Sequence, residues 1–165
     1  MNFRTSRTAA CNLLLGMGLM GVACAQRSDS AGSPSSDPEL ANRGTIEVTA
    51  RLVEIPEGAI FERKLYNYAT VLKYEVLQVH RGKVKGQTIY VGHYNPFKPR
   101  SEAADRRVQD VGGNLKSFRA GEVHRMALEG SMLDHFTGGI LNKYFEEDTD
   151  PIYWAVWTDL DVTKG

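Results

Sequence analysis

His93-Tyr94-Asn95-Pro96-Phe97 sets an imidazole, a phenol, an amide and an apolar ring close together at a strand end. Rings with polar tips bury an apolar body and still offer a hydrogen bond, which suits a sugar or a peptide. With Tyr90 three residues upstream, the candidate ligand-binding residues are Tyr90, His93, Tyr94, Asn95 and Phe97. Tyr153, Trp154 and Trp157 extend the aromatic set. The simpler role for a tryptophan in the apolar run IYWAVWT is core filling, and a spacing of three puts Trp154 and Trp157 on opposite strand faces.

The chain has four histidines, His80, His93, His124 and His135, and no HExxH-type ligand spacing. His93 follows Ile89 and Val91, and His124 precedes Met126 and Leu128, at a period of two, so both sit on otherwise apolar strand faces. If their strands are neighbours the two imidazoles converge, and with a carboxylate they would suit zinc or another divalent metal. The competing role is a pair of hydrogen-bonded histidines at the edge of the core. No other cofactor is called for. Ser131, Asp134 and His135 have the types of a nucleophile triad, but they crowd into five residues and no G-x-S-x-G precedes them. Glu146-Glu147-Asp148-Thr149-Asp150 offers oxygens for Ca²⁺ without the EF-hand order of ligands, and reads better as a solvated loop. Gly112-Gly113-Asn114 is too short to cradle a phosphate.

These residues depend on strands for their placement. Thr45 to Glu54 alternates apolar and polar residues over eight positions. Ala69 to Tyr94 reads as a hairpin, with Gly82 and Gly86 bracketing its turn. Its first strand changes parity at Leu77, as a β-bulge would produce. Glu122 to Glu129 puts His124, Met126 and Leu128 on one face. Ile152 to Thr158 is apolar at nearly every position, so both its faces should be covered. Ser101 to Gln109 reads as a short surface helix, and Ile140, Leu141, Tyr144 and Phe145 are spaced like one face of another. The expected fold class is all-β with one or two short helices, a small five-stranded antiparallel OB-like barrel over residues 44–162, which leaves no long open edge.

The front of the chain reads differently. Arg4 and Arg7 precede the apolar run Leu13 to Val22, and Ala23-Cys24-Ala25 follows. This is the pattern of an export signal over residues 1–25. Gly21-Val22-Ala23-Cys24 also approximates a lipoprotein box, so cleavage after Ala25 and lipidation at Cys24 both stay open. Neither leaves a disulfide or a thiolate zinc site within the domain. Residues 26–43, rich in Ser, Pro and Gly, read as a disordered tether. The placement expected is periplasmic or extracellular, with membrane attachment only through a lipid on Cys24.

Beyond residue 25 the chain carries 18 Lys and Arg against 20 Asp and Glu. That balance argues against nucleic acid as a partner. Ten basic residues against four acidic lie between Arg81 and Arg125, and eight acidic against Lys143 between Glu129 and Asp161. Two solvated faces explain this, and a basic patch for an anionic partner is the sharper alternative.

Several short features resemble the OB-fold domains of the tissue-inhibitor-of-metalloproteinase and netrin-module type. They are the first strand Val48 to Val53, the ending Val79-His80-Arg81-Gly82, the strand Thr88 to Val91, and Phe118-x-x-Gly121-x-x-His124. The resemblance spans Thr45 to Glu129 and implies the barrel. It implies no inhibitory residues, because the cysteines of that family are missing. The functional expectation is an exported, envelope-associated binding or assembly module without catalytic activity, meeting an envelope protein or polysaccharide. The alternative is a small exported enzyme or metal-dependent protein that uses His93 and His124.

Overall fold

The structure is a computed structural model and describes residues 37–56, 66–137, 139–143 and 145–162. The segment read as an export signal, Cys24 and residues 26–36 of the stretch read as a tether lie outside the described residues. The last residues of the stretch read as tether form a helical turn, α1 (Pro38–Asn42), capped by Asp37, whose side chain accepts from the Glu39 amide.

Six strands follow: β1 (Ile46–Glu54), β2 (Tyr68–Arg81), β3 (Thr88–Tyr94), β4 (Val123–Glu129), β5 (Ile140–Asn142) and β6 (Ile152–Leu160). Their order is β1-β4-β6-β3-β2-β5, and a further β1–β2 pairing closes five of them into the expected OB-like barrel. The barrel is mixed rather than purely antiparallel, because β3 and β6 run parallel, Tyr90 opposite Ile152 and Gly92 opposite Trp154.

Closure requires strong local bending of β2. Thr49 pairs with Gln78 and Ala50 with Val76, which leaves Leu77 as an extra residue at the position where the alternation breaks. A second irregularity at His80 precedes the turn, where Gly82 and Gly86 both adopt positive φ. A bulge in β6 was not anticipated. Ala127 pairs with Trp157 and Leu128 with Ala155, so Val156 is the extra residue. Val156 and Trp157 consequently share a face, and Trp154 and Trp157 both pack in the outer cluster rather than on opposite faces.

The pleat sorts apolar residues into two cores. Val48, Ala50, Leu52, Leu72, Tyr74, Ile89, Val91, Met126, Leu128, Tyr153 and Ala155 fill the barrel. Outside it, Tyr90, Tyr94 and Trp154 are covered by Leu40 of α1 and by Met132 and Phe136 of the turn α2 (Met132–His135) and its cap. Both faces of β6 are thereby buried, as its composition requires.

Two local expectations are corrected. Ser101 to Gln109 is not a helix; only a 3₁₀ turn at Arg100–Glu102 forms. The Asp105 side chain accepts from the amides of Arg107 and Val108 at 2.8 and 3.1 Å, taking donors a helix would use. Ile140–Asn142 is a strand, parallel to the start of β2. Its helical spacing yields to the free edge of β2, since a segment this short takes its structure from its neighbour.

Candidate functional site

The same pleat divides the candidate residues. Tyr90 and Tyr94 face outward. Tyr90 donates to Glu147 at 2.6 Å and packs edge-on to Phe145, and Glu147 also pairs with Lys73. Those hydrogen bonds, from Lys73 first and then Tyr90, hold the Glu147 carboxyl well below its usual range. The acidic loop is thus pinned to the barrel at this residue. Tyr94 donates to Asp105 at 2.7 Å. Asn95 is buried in a left-handed turn (φ 46°), where its side-chain oxygen accepts from the Tyr68 amide and its nitrogen donates to the Ala103 carbonyl. It shapes the exit of β3. Phe97 is 39% exposed, with its ring 6.0 Å from that of Tyr68.

His93 and His124 both point inward and have no exposed surface. Their strands are not neighbours, for β6 lies between β3 and β4. The rings approach instead across the barrel interior, bridged by one hydroxyl. Tyr74 Oη lies 3.1 Å from His93 Nε2 and 3.2 Å from His124 Nδ1. His124 Nε2 faces Glu122 Oε2 at 3.6 Å.

One set of tautomers avoids placing lone pairs face to face. His124 carries its proton on Nε2, toward the Glu122 carboxylate, and accepts at Nδ1 from Tyr74. His93 donates from Nε2 to the Tyr74 oxygen, which leaves His93 Nδ1 as a buried acceptor. Burial holds both imidazoles neutral. It lowers His124 to about 4, and it lowers His93 well below the ordinary range with help from the nearby Arg100 charge and from His124. Burial likewise raises the Tyr74 phenol well above its usual value. Among the described residues, no three His, Cys, Asp or Glu side chains converge as a metal-holding group.

Two residues that sequence reasoning did not single out complete this end of the barrel. Arg100 is only 2% exposed, and its Nη2 donates to the carbonyls of Tyr94, Asn95 and Lys98. Burial lowers its pKa to about 10, so it stays cationic at neutral pH. No carboxylate among the described residues forms an ion pair with it. Phe118 lies at the centre of the cluster. Its ring is 4.6 Å from that of His93, 5.5 Å from that of His124 and 5.3 Å from the Arg100 guanidinium. The Phe118-x-x-Gly121-x-x-His124 spacing was the available signal for Phe118. Arg100 gave none, because a lone arginine in a polar segment reads as surface.

Above Phe118 opens a cavity of about 590 Å³, lined among the described residues by Ile55, Thr70, Leu72, Phe97 and Phe118, with Pro96, Lys98, Pro99 and Ser117 at its rim. This is the barrel mouth, where β1 and β3 end and β2 begins. Ser131, Asp134 and His135 lie elsewhere, within the capped turn of α2, with Asp134 and His135 exposed.

The chain was compared with protein-family models, with curated proteins and with solved structures, and no match was found in any of the three.

Proposed function

We propose that this chain is an exported binding module whose barrel mouth is its ligand site. The cavity bounded by Phe97 and Phe118 carries this reading. Its volume lies in the range of small-molecule pockets, and its walls are apolar with few polar groups, which is the usual composition of such sites. The export-signal pattern of residues 1–25 and the Ser-rich stretch behind it support an envelope placement. The netrin-type resemblance supports the barrel framework and contributes no binding residue. The His93–His124 pair supports a scaffold role more than a metal centre, because the two nitrogens nearest each other are both engaged by Tyr74.

A neutral apolar fluorophore such as 1-aminoanthracene tests the reading directly. It should titrate to one saturable site, and Ser117→Trp, which places a bulky ring at the exposed rim, should abolish that binding without lowering Tm. Unsaturable binding, or binding unaffected by Ser117→Trp, would remove the barrel mouth as the site.

A further inference from the structure

Five buried polar atoms without a hydrogen bond among the described residues belong to this end of the barrel, around Phe118 and the cavity it lines: Thr70 Oγ1, His93 Nδ1, Arg100 Nε, Glu122 Oε2 and His124 Nε2. Three belong to residues whose side chains lie against the Phe118 ring. Thr70 lines the cavity itself and pairs with His93 across β2 and β3. Glu122 faces His124. Buried polar groups in folded proteins are ordinarily satisfied, and each exception calls for a cause. Here the exceptions share one region, three against the Phe118 ring, Glu122 beside His124, and Thr70 on the cavity wall.

The ionisable groups here, beside the two imidazoles, are a buried cation, Arg100, and a carboxylate, Glu122. Arg100 is a buried cation whose acceptors are backbone carbonyls, and its buried Nε–H has no acceptor among the described residues. A buried charge is costly unless it is paired. Both imidazoles are neutral. Glu122 is turned toward His124, while Arg81 and Arg125 both pair with Glu47 near the start of β1. The group that complements Arg100 Nε–H and the Thr70 hydroxyl is an acceptor with negative charge, carried on a body that the cavity walls will accept.

We propose that the barrel mouth binds an apolar monocarboxylate, with Phe118 as a plug that swings aside so that the carboxylate reaches Arg100 Nε and Thr70 Oγ1. Phe118 precedes β4 in a loop, outside any strand ladder, so its side chain can turn without breaking sheet hydrogen bonds. The apolar tail then occupies the space between Ile55, Leu72 and Phe97. This deepens the binding reading above and rests on it.

Isothermal titration of the purified protein with octanoate, octanol and octylammonium tests the proposal. Octanoate should fill one site, and octanol should bind at least about tenfold more weakly, the loss expected for one charge-assisted hydrogen bond. Octylammonium should not bind. Thr70→Val, nearly isosteric, should weaken octanoate several-fold and leave octanol unchanged. Arg100→Lys should weaken octanoate further. Should that variant fail to fold, Thr70→Val carries the test alone. Phe118→Ala should bind octanoate at least as tightly as the parent. Equal affinity for octanoate and octanol, or an unchanged octanoate affinity in Thr70→Val, overturns the carboxylate assignment and leaves the cavity as an apolar site. Absence of binding by all three probes overturns both.

Discussion

The ring of Phe118 lies 4.6 Å, centroid to centroid, from the ring of His93, so an aromatic side chain from a loop closes over a histidine with no exposed surface. That contact ties the barrel's interior hydrogen bonds to its mouth. A change at either residue is therefore felt at the other.

Tyr74→Phe isolates the interior half of this arrangement. Losing the hydroxyl strands His93 Nε2 and His124 Nδ1 in the core, which should cost about 2–4 kcal/mol for two buried groups left unsatisfied. Urea unfolding measures it. A loss below about 0.5 kcal/mol would mean the hydroxyl bridge contributes nothing.

Stability should rise with pH between about 4 and 6.5. His124 has a folded pKa of about 4, below its ordinary 6.5, so in this window the unfolded chain binds the extra proton. His93 acts in the same direction. Asp159 opposes them. Its burial, with the Asp37 carboxyl beside it, raises it from 3.8 to about 6, so its contribution falls as pH rises through that range. Asp159→Asn keeps an acceptor for the Asn114 amide and removes the opposing term. The variant should show a steeper rise of Tm with pH than the parent. A shallower rise would reverse the assignment of signs.

Gly113→Ala should destabilise severely, by at least about 2 kcal/mol, because φ is 135° and a Cβ there would overlap the Thr158 carbonyl. Gly92→Ala provides the comparison. Its new Cβ meets the sulfur of Met132, a flexible side chain that can turn away. Thermal unfolding should rank Gly113→Ala as clearly the worse of the two. The opposite order would contradict the close approach of this loop to β6.

Arg81 secures the chain before β1. Its guanidinium donates to the carbonyls of Leu40, Ala41, Arg43 and Gly44, and it pairs with Glu47 at 3.3 Å. Arg81→Met should expose residues 38–44 to limited proteolysis while the barrel persists. Protection equal to the parent's would show that α1 is held by Leu40 packing instead.

The barrel was legible where alternation is strict. Leu77 announced its bulge because Glu75 and Gln78 flank the apolar pair Val76 and Leu77, which reveals the change of parity. Val156 could not, since every residue from Ile152 to Trp157 is apolar and a slip leaves no mark, so the tryptophans were placed on opposite faces. The His93–His124 approach followed from shared parity, but through a wrong premise of adjacent strands. Closure brings them together across the interior, a long-range consequence that no local pattern encodes. The ligand candidates near Pro96 lie at the end of the barrel where the cavity opens, and the pleat turns Tyr90 and Tyr94 away from it. Arg100 stayed hidden because its burial depends on three loop carbonyls, which a sequence does not place.

The most direct measurement of the central claim is a ¹H–¹⁵N and aromatic ¹H–¹³C shift map of the protein titrated with octanoate. The largest changes should fall on Thr70, Phe97, Lys98, Ser117 and the Phe118 ring, with His93 side-chain signals moving in step. Changes centred on another surface, or a Phe118 ring whose signals stay fixed at saturation, would contradict a barrel mouth gated by Phe118.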